Sequence, residues 1–191
     1  MRADALRNRS AIADAALRLA GERGEAVSME DIAREAGVGV GTLYRHFPDR
    51  RALLEDIAVD ALRELRDATR AEAGRAPAWE ALLRIVDHCV ALPLSLTKSL
   101  LTDEPERAEL PELEVEVTSL IAGIVADAQR EGDLRADVPP AEAVRVLNVA
   151  VCRCGARADD HLTRVVLDGL RVPKNRRPPV WRGDEGRGEG S

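Results

Sequence analysis

Between Ser28 and Phe47 the chain reads SMEDIAREAGVGVGTLYRHF, and this stretch restricts the fold more than any other. Met29, Ile32, Ala33 and Ala36 recur at helical spacing. Ser28 precedes them as a cap that offers its hydroxyl to an orphan N–H, and Glu30 and Asp31 occupy the first turn, where carboxylates favour the helix dipole. Gly37 ends the run as a left-handed C-cap, and a third short helix then extends to about His46. Gly39 and Gly41 are spaced as in a nucleotide-binding loop. A dinucleotide fingerprint, however, needs a third glycine where Tyr44 stands and a strand where MEDIAREAG is helical, and the Gly-Lys-Ser/Thr ending of a phosphate loop is missing too. What fits is helix, tight turn, helix. Ile32, Ala33, Ala36, Val38, Leu43 and Phe47 fuse the two helices, leaving the outer face of the second for a DNA major groove.

Composition places this motif in an all-α protein. The chain has 191 residues, 45% of them hydrophobic but only 2% aromatic, and it is rich in helix formers. The net charge of −6 argues against nucleic acid only until it is read by segment. Residues 1–51 hold nine Arg and eight Asp or Glu, a sum of +1, so the rest of the chain carries −7. With no 18-residue apolar run and no apolar stretch at the N-terminus, a cytoplasmic protein with no membrane partner is expected. Cys89, Cys152 and Cys154 make no disulfide framework. On a helix, Cys152 and Cys154 would project about 200° apart. No metal or cofactor is expected.

The remaining periodicity is helical throughout. A first helix is expected over Ala5 to Glu22, with Ile12, Ala16 and Leu19 inward and Gly24 closing it. Asp49 caps a long helix to about Thr69 or beyond, striped by Leu53, Leu54, Ile57, Ala58, Ala61, Leu62 and Leu65. Helices follow over Ala78 to about Leu92, Leu94 to Leu101 and Pro111 to Arg130. Residues 132–139 form a loop, and two further helices run from Pro140 to about Cys154 and from Asp159 to Leu170. Residues 1–50 thus make a helix-turn-helix domain, with the motif at about 28–47, and residues 51–172 a helical domain. Residues 173–191, rich in Pro, Gly and charge, make a disordered tail.

The exposed residues of the motif have distinct tasks. Thr42 and Tyr44 donate hydroxyl hydrogen bonds to phosphates, His46 bonds a phosphate, and Arg45 pairs with guanine or phosphate. A glycine at Gly41 costs about 1 kcal/mol relative to Ala in a helix, which points to close approach by a neighbour, either DNA or the first helix. The order of residues from Ala15 to Leu53, ending in DIA..AGV..GTLYRHFPDR.AL, resembles the N-terminal signature of the tetracycline-repressor (TetR) family of bacterial transcription regulators. The resemblance implies a three-helix DNA-binding domain, a connecting helix and a divergent all-helical domain that binds a small effector and dimerises. By it, Ser28, Thr42, Tyr44 and His46 fall on positions that contact the DNA backbone, and Val40, Gly41 and Arg45 near base edges. Relatives often carry a basic or polar residue where Val40 stands, so binding here leans on Arg45, Arg50, Arg51 and an N-terminal arm with Arg2, Arg7 and Arg9, although that arm equally fits a solvated surface.

Residues 141–152 are apolar almost all round, and Leu162, Val165, Val166, Gly169 and Leu170 make a second apolar stripe. Two such helices per subunit would build a four-helix homodimer interface, or else complete a monomer core. An effector pocket is placed between residues 79 and 155, with Trp79, His88, Thr97, Asn148 and Arg153 as its candidate polar groups. The expected protein is a homodimeric repressor on a palindromic operator in double-stranded DNA, released by a small molecule and without catalysis. Two alternatives stand beside it: an effector-independent DNA-binding protein, and a small helical enzyme using His88 and Cys89.

Overall fold

The structure, a computed structural model, describes residues 2–23, 27–75, 77–95, 107–153 and 155–173. Within them lie eight α-helices: α1 (Arg2–Arg23), α2 (Met29–Glu35), α3 (Val40–His46), α4 (Arg50–Glu72), α5 (Ala78–Ala91), α6 (Glu109–Glu131), α7 (Pro140–Val151) and α8 (His161–Leu170). Among the described residues no helix is long and apolar enough to cross a membrane.

The caps read from the sequence form. Ser28 Oγ accepts from Asp31 N at 3.1 Å at the head of α2, Asp49 accepts from Ala52 N at 2.8 Å at the head of α4, and Gly37 takes φ 68°. Boundaries move at several places, α8 for one beginning at His161 rather than Asp159 because Asp160 is its cap. α1 begins at Arg2 rather than Ala5. α6 begins at Glu109, ahead of Pro111, because a proline in the first turn forfeits no helical hydrogen bond. α7 stops at Val151, where Cys152 leaves helical geometry and Gly155 turns left-handed at φ 69°. Of the helix expected over Leu94 to Leu101, Leu94 and Ser95 are helical and the rest lies outside the described residues, as do Gly24, Cys154 and the tail beyond Pro173.

Two apolar clusters organise the chain. One packs Ile12, Ala15, Ala16 and Leu19 of α1 against Ile32 and Ala33 of α2, Leu43 of α3, Phe47, and Leu53 and Ile57 of α4. The other begins one residue further along α4, at Ala58, and takes in α5, α6, α7 and Leu170 of α8. α4 therefore contributes its first two turns to one core and the remainder to the other. α6 runs beside it in the same direction, because Arg63 pairs with Glu109 at 2.5 Å and Arg70 with Glu116 a heptad later. α5 returns antiparallel, its first N–H at Ala78 donating to Glu131 at the far end of α6.

α8 is fixed at both ends. Asp160 caps it, accepting from Thr163 N at 2.8 Å and from Arg157 N at 2.9 Å, and these two N–H groups hold its carboxyl well below the usual carboxylate range. Beyond Leu170 the chain pairs with the loop after α6: Arg135 N donates to Leu170 O at 2.9 Å and Val172 N to Asp133 O at 2.8 Å. Arg171 then lies over the Trp79 ring, 5.3 Å from its centroid.

Candidate DNA-binding interface and its link to the helical domain

α3 is seated by two side chains and presents the rest. Leu43 and Phe47 are buried in the N-terminal core, whereas Val40, Gly41, Tyr44 and Arg45 are exposed and Thr42 and His46 half-buried. Arg45 folds back along its own helix: Nε donates to Gly41 O at 3.2 Å and a terminal N–H to Thr42 Oγ1 at 2.9 Å. Because that hydroxyl oxygen accepts from Arg45, its own O–H is left to donate outward to a phosphate. The His46 ring stands 6.3 Å from that of Phe47, tilted by 44°. A Cβ added at Gly41 meets nothing within 4 Å, so packing against α1 does not explain the glycine.

The basic groups around α3 are more committed than the sequence reading has them. Ser28 Oγ donates to Asp31 Oδ2 at 2.9 Å while capping α2. That hydroxyl, and then Arg34, lower the Asp31 pKa. Ser28 would have to give up this bond to donate to a phosphate. Arg50, half-buried, donates to Val27 O and so ties the head of α4 to the entry of α2. Arg7 pairs with Asp4, Arg9 with Asp56 and Arg51 with Glu55, while the Arg2 side chain lies outside the described residues.

Periodicity did not reveal where Glu55 and Asp56 go. Both lie on α4 with only 1% and 2% of their surface exposed. Leu54, expected in the apolar stripe, is half-buried instead. Glu55 pairs with Arg51 one turn away, but the partners of Asp56, Arg9 and Arg107, are remote in sequence and leave no local signature.

Four of the five candidate effector residues are described, and each has different surroundings. Trp79 is packed in the larger core under Arg171. His88 is exposed and lines a shallow groove with Glu72, Arg84 and Asp87. Asn148 is half-buried, with Cys152 Sγ 3.9 Å from its Oδ1. Arg153 pairs with Asp160, and Thr97 lies outside the described residues. The neighbouring Cys89 is buried, and burial pushes its thiol up to about 12, so it is protonated at neutral pH and no nucleophile for His88 to activate. Among the described residues no group of three or more His, Cys, Asp or Glu is placed to hold a metal.

A three-helix reading head joined by one shared helix to a larger helical domain is the architecture of a helix-turn-helix transcription regulator. The model for bacterial regulatory proteins of the tetR family matches residues 12–57, and that for the C-terminal domain of SbtR-like transcriptional regulators matches residues 76–172. A TetR transcription regulatory protein from Mycobacterium vanbaalenii is 33% identical over 90% of this chain and 99% of its own, with a TM-score of 0.62. A gamma-butyrolactone receptor (ArpA-like protein) is 26% identical over 89% of this chain and 91% of its own, with a TM-score of 0.68. HTH-type transcriptional regulators of Staphylococcus aureus are 52% identical over 54 residues, which is 28% of this chain and 29% of theirs. The chain belongs to the TetR family and is a DNA-binding transcriptional regulator.

Gly41→Ala should leave the protein as stable or more stable, by about 0.4–1 kcal/mol, since the added methyl has room and reduces the freedom of the unfolded chain. It should nevertheless weaken operator binding; thermal melts and fluorescence anisotropy on the same sample separate the two effects. Tyr44→Ala and Arg45→Ala should also fold normally and bind DNA less well. Loss of the Tyr44 hydroxyl should act alike on all sequences, whereas loss of Arg45 should cost about 1–3 kcal/mol and relax preference at one base pair. Unchanged binding by both would remove α3 from the interface.

Proposed function

We propose that this chain is a homodimeric repressor that binds an inverted-repeat operator and is released by a small molecule held in its helical domain, residues 51–172. The observation that carries the reading is the division of α4, whose first turns belong to the core that seats α3 and whose later turns belong to the core of the larger domain. A displacement of that helix by a ligand reaches the reading head without any intermediary. The similarity to a gamma-butyrolactone receptor favours a small-molecule effector and makes lactones the first class to screen. On this reading Ser28, Val40, Gly41, Thr42, Tyr44, Arg45, His46 and Arg50 form the DNA-facing set. Footprinting on DNA flanking the gene tests it: protection should fall on two half-sites roughly one helical turn or slightly more apart.

The second copy fits the outer faces of α7 and α8. Their inner faces complete the larger core, but Val146, Val149, Leu162 and Val165 stay exposed, Val149 at 59% and Val165 at 68%. Four large exposed apolar side chains on adjoining helices, with Arg145, Arg164 and Asp168 exposed on the same helices, suit a two-fold interface. Val149→Glu with Val165→Glu should yield a folded monomer by sedimentation and lose tight operator binding. A variant that remained dimeric would move the interface elsewhere, α6 being the next candidate.

Ligand and operator must oppose one another by the same factor. A coupling of roughly 1–3 kcal/mol corresponds to about 5- to 150-fold release. A lactone or other hit from a thermal-shift screen is therefore titrated with and without saturating operator, and its affinity should fall by that factor when DNA is present. Equal affinity in both titrations would show that the compound is no inducer, and equal affinity for every hit would favour an effector-independent regulator.

A further inference from the structure

Glu55 and Asp56 sit on α4 where one apolar cluster ends, at Leu53 and Ile57, and the other begins, at Ala58. Asp56 is shared. Arg9, from α1, donates Nε to Oδ2 at 2.8 Å and a second N–H to Oδ1, and Arg107, just ahead of α6, places Nη1 2.9 Å from the same Oδ1. Beside it Glu55 accepts from Arg51 Nε at 3.1 Å and from the backbone N–H of Arg107 at 3.2 Å. Arg107 thus meets α4 twice, its side chain on the Asp56 carboxylate that also holds α1 and its backbone N–H on Glu55.

The arrangement has directional consequences. A buried carboxylate stripped of its partners is strongly unfavourable, so Asp56 keeps whichever arginines it can reach. Arg9 and Arg107 converge on one oxygen, so a shift of Arg107 changes the charge and the geometry left for Arg9. Arg9 lies three residues before Ile12, on the helix whose inner face packs against α2, α3 and α4. By contrast Arg63, which also joins α4 to α6, pairs with Glu109 and Asp60, neither of which bonds to α1 in the way Asp56 does.

We propose that Asp56 is a positioning residue for operator binding: through its shared bonds to Arg9 and Arg107 it sets the angle of the α1–α3 unit against the helical domain, and Arg107 is the handle by which that domain adjusts it. The inference rests on the reading that α3 contacts the operator. It also reassigns Arg9 from an arm that reaches for phosphate to an internal strut.

The test measures operator affinity by fluorescence anisotropy across a salt series for the full chain and for Asp56→Asn, Arg107→Ala, Arg9→Ala and Arg63→Ala, on the operator that footprinting defines. Removing a negative charge from a DNA-binding protein should on charge alone tighten binding. Asp56→Asn should instead weaken it about tenfold or more, with the slope of log K against log salt unchanged. Arg107→Ala should weaken it several-fold while Arg63→Ala, the same loss of charge, has no more than a slight effect. Adding Arg107→Ala or Arg9→Ala to Asp56→Asn should change little further, since all three act through one carboxylate. Circular dichroism checks that each variant is folded. Should Asp56→Asn not fold, Arg107→Ala decides, because it leaves Asp56 paired with Arg9. Tighter or unchanged binding by Asp56→Asn overturns the proposal, as does an Arg107→Ala variant equal to Arg63→Ala. A salt slope for Arg9→Ala shallower by about one would overturn it too, since that marks a lost phosphate contact. Arg45→Ala runs alongside: if it binds normally, it is the assignment of α3 that fails, and the Asp56 comparison still stands on its own.

Discussion

One helix has to satisfy two hydrophobic cores, and the rest of the molecule is arranged around that requirement. Leu53 and Ile57 of α4 are buried against α1 and α3, and from Ala58 to Leu65 the same helix is buried against α5 and α6. Neither core could release α4 without exposing several large apolar side chains, each worth about 1.5–3 kcal/mol when fully buried. The two domains are therefore not beads on a linker. What one does to the axis of α4, the other receives, and the ion pairs from Arg63 and Arg70 to α6 extend that rigid unit by two further turns.

Few residues are needed to seat α3. Leu43 and Phe47 are the only two of the α3 stretch given fully to the core, and the other six residues from Val40 to His46 stay exposed or half-buried, offering a methyl pair, a bare backbone, two hydroxyls, a guanidinium and an imidazole. The resting hydrogen bonds of Arg45 to Gly41 and Thr42 are exposed and weak individually, so the side chain can exchange them for a base edge at little loss. The overall negative charge does not oppose this, because the acidic excess lies beyond residue 51.

Local chemistry was legible in the sequence and remote pairing was not. Ser28, Gly37 and Asp49 act on groups within four residues of themselves, so their roles could be read directly and all three caps form. Asp56 looks like an ordinary solvent-facing charge in a helix, and nothing nearby announces that Arg9 and Arg107 pair with it. The same is true of the short pairing between Leu134 and Arg171, which joins the segments before and after the last two helices. His88 is a different case, because a signal was present. Glu80, Arg84, Asp87 and His88 share one polar face of α5, while Ala81, Leu82, Ile85, Val86 and Cys89 share the buried one, so angular position alone sets His88 outside the core.

The double anchoring of α8 bears on how a partner surface would be received. A helix of ten residues with an apolar outer face would by itself fray and reorder on contact, and that ordering opposes association. Here Asp160 closes the first turn and the Leu134–Arg171 pairing closes the last, so Leu162 and Val165 are held in place before anything touches them. Subunits that meet on such a face dock as preformed bodies. Their separation on dilution would then leave folded protomers, and the concentration of the protein could govern how much DNA is occupied without passing through an unfolded state.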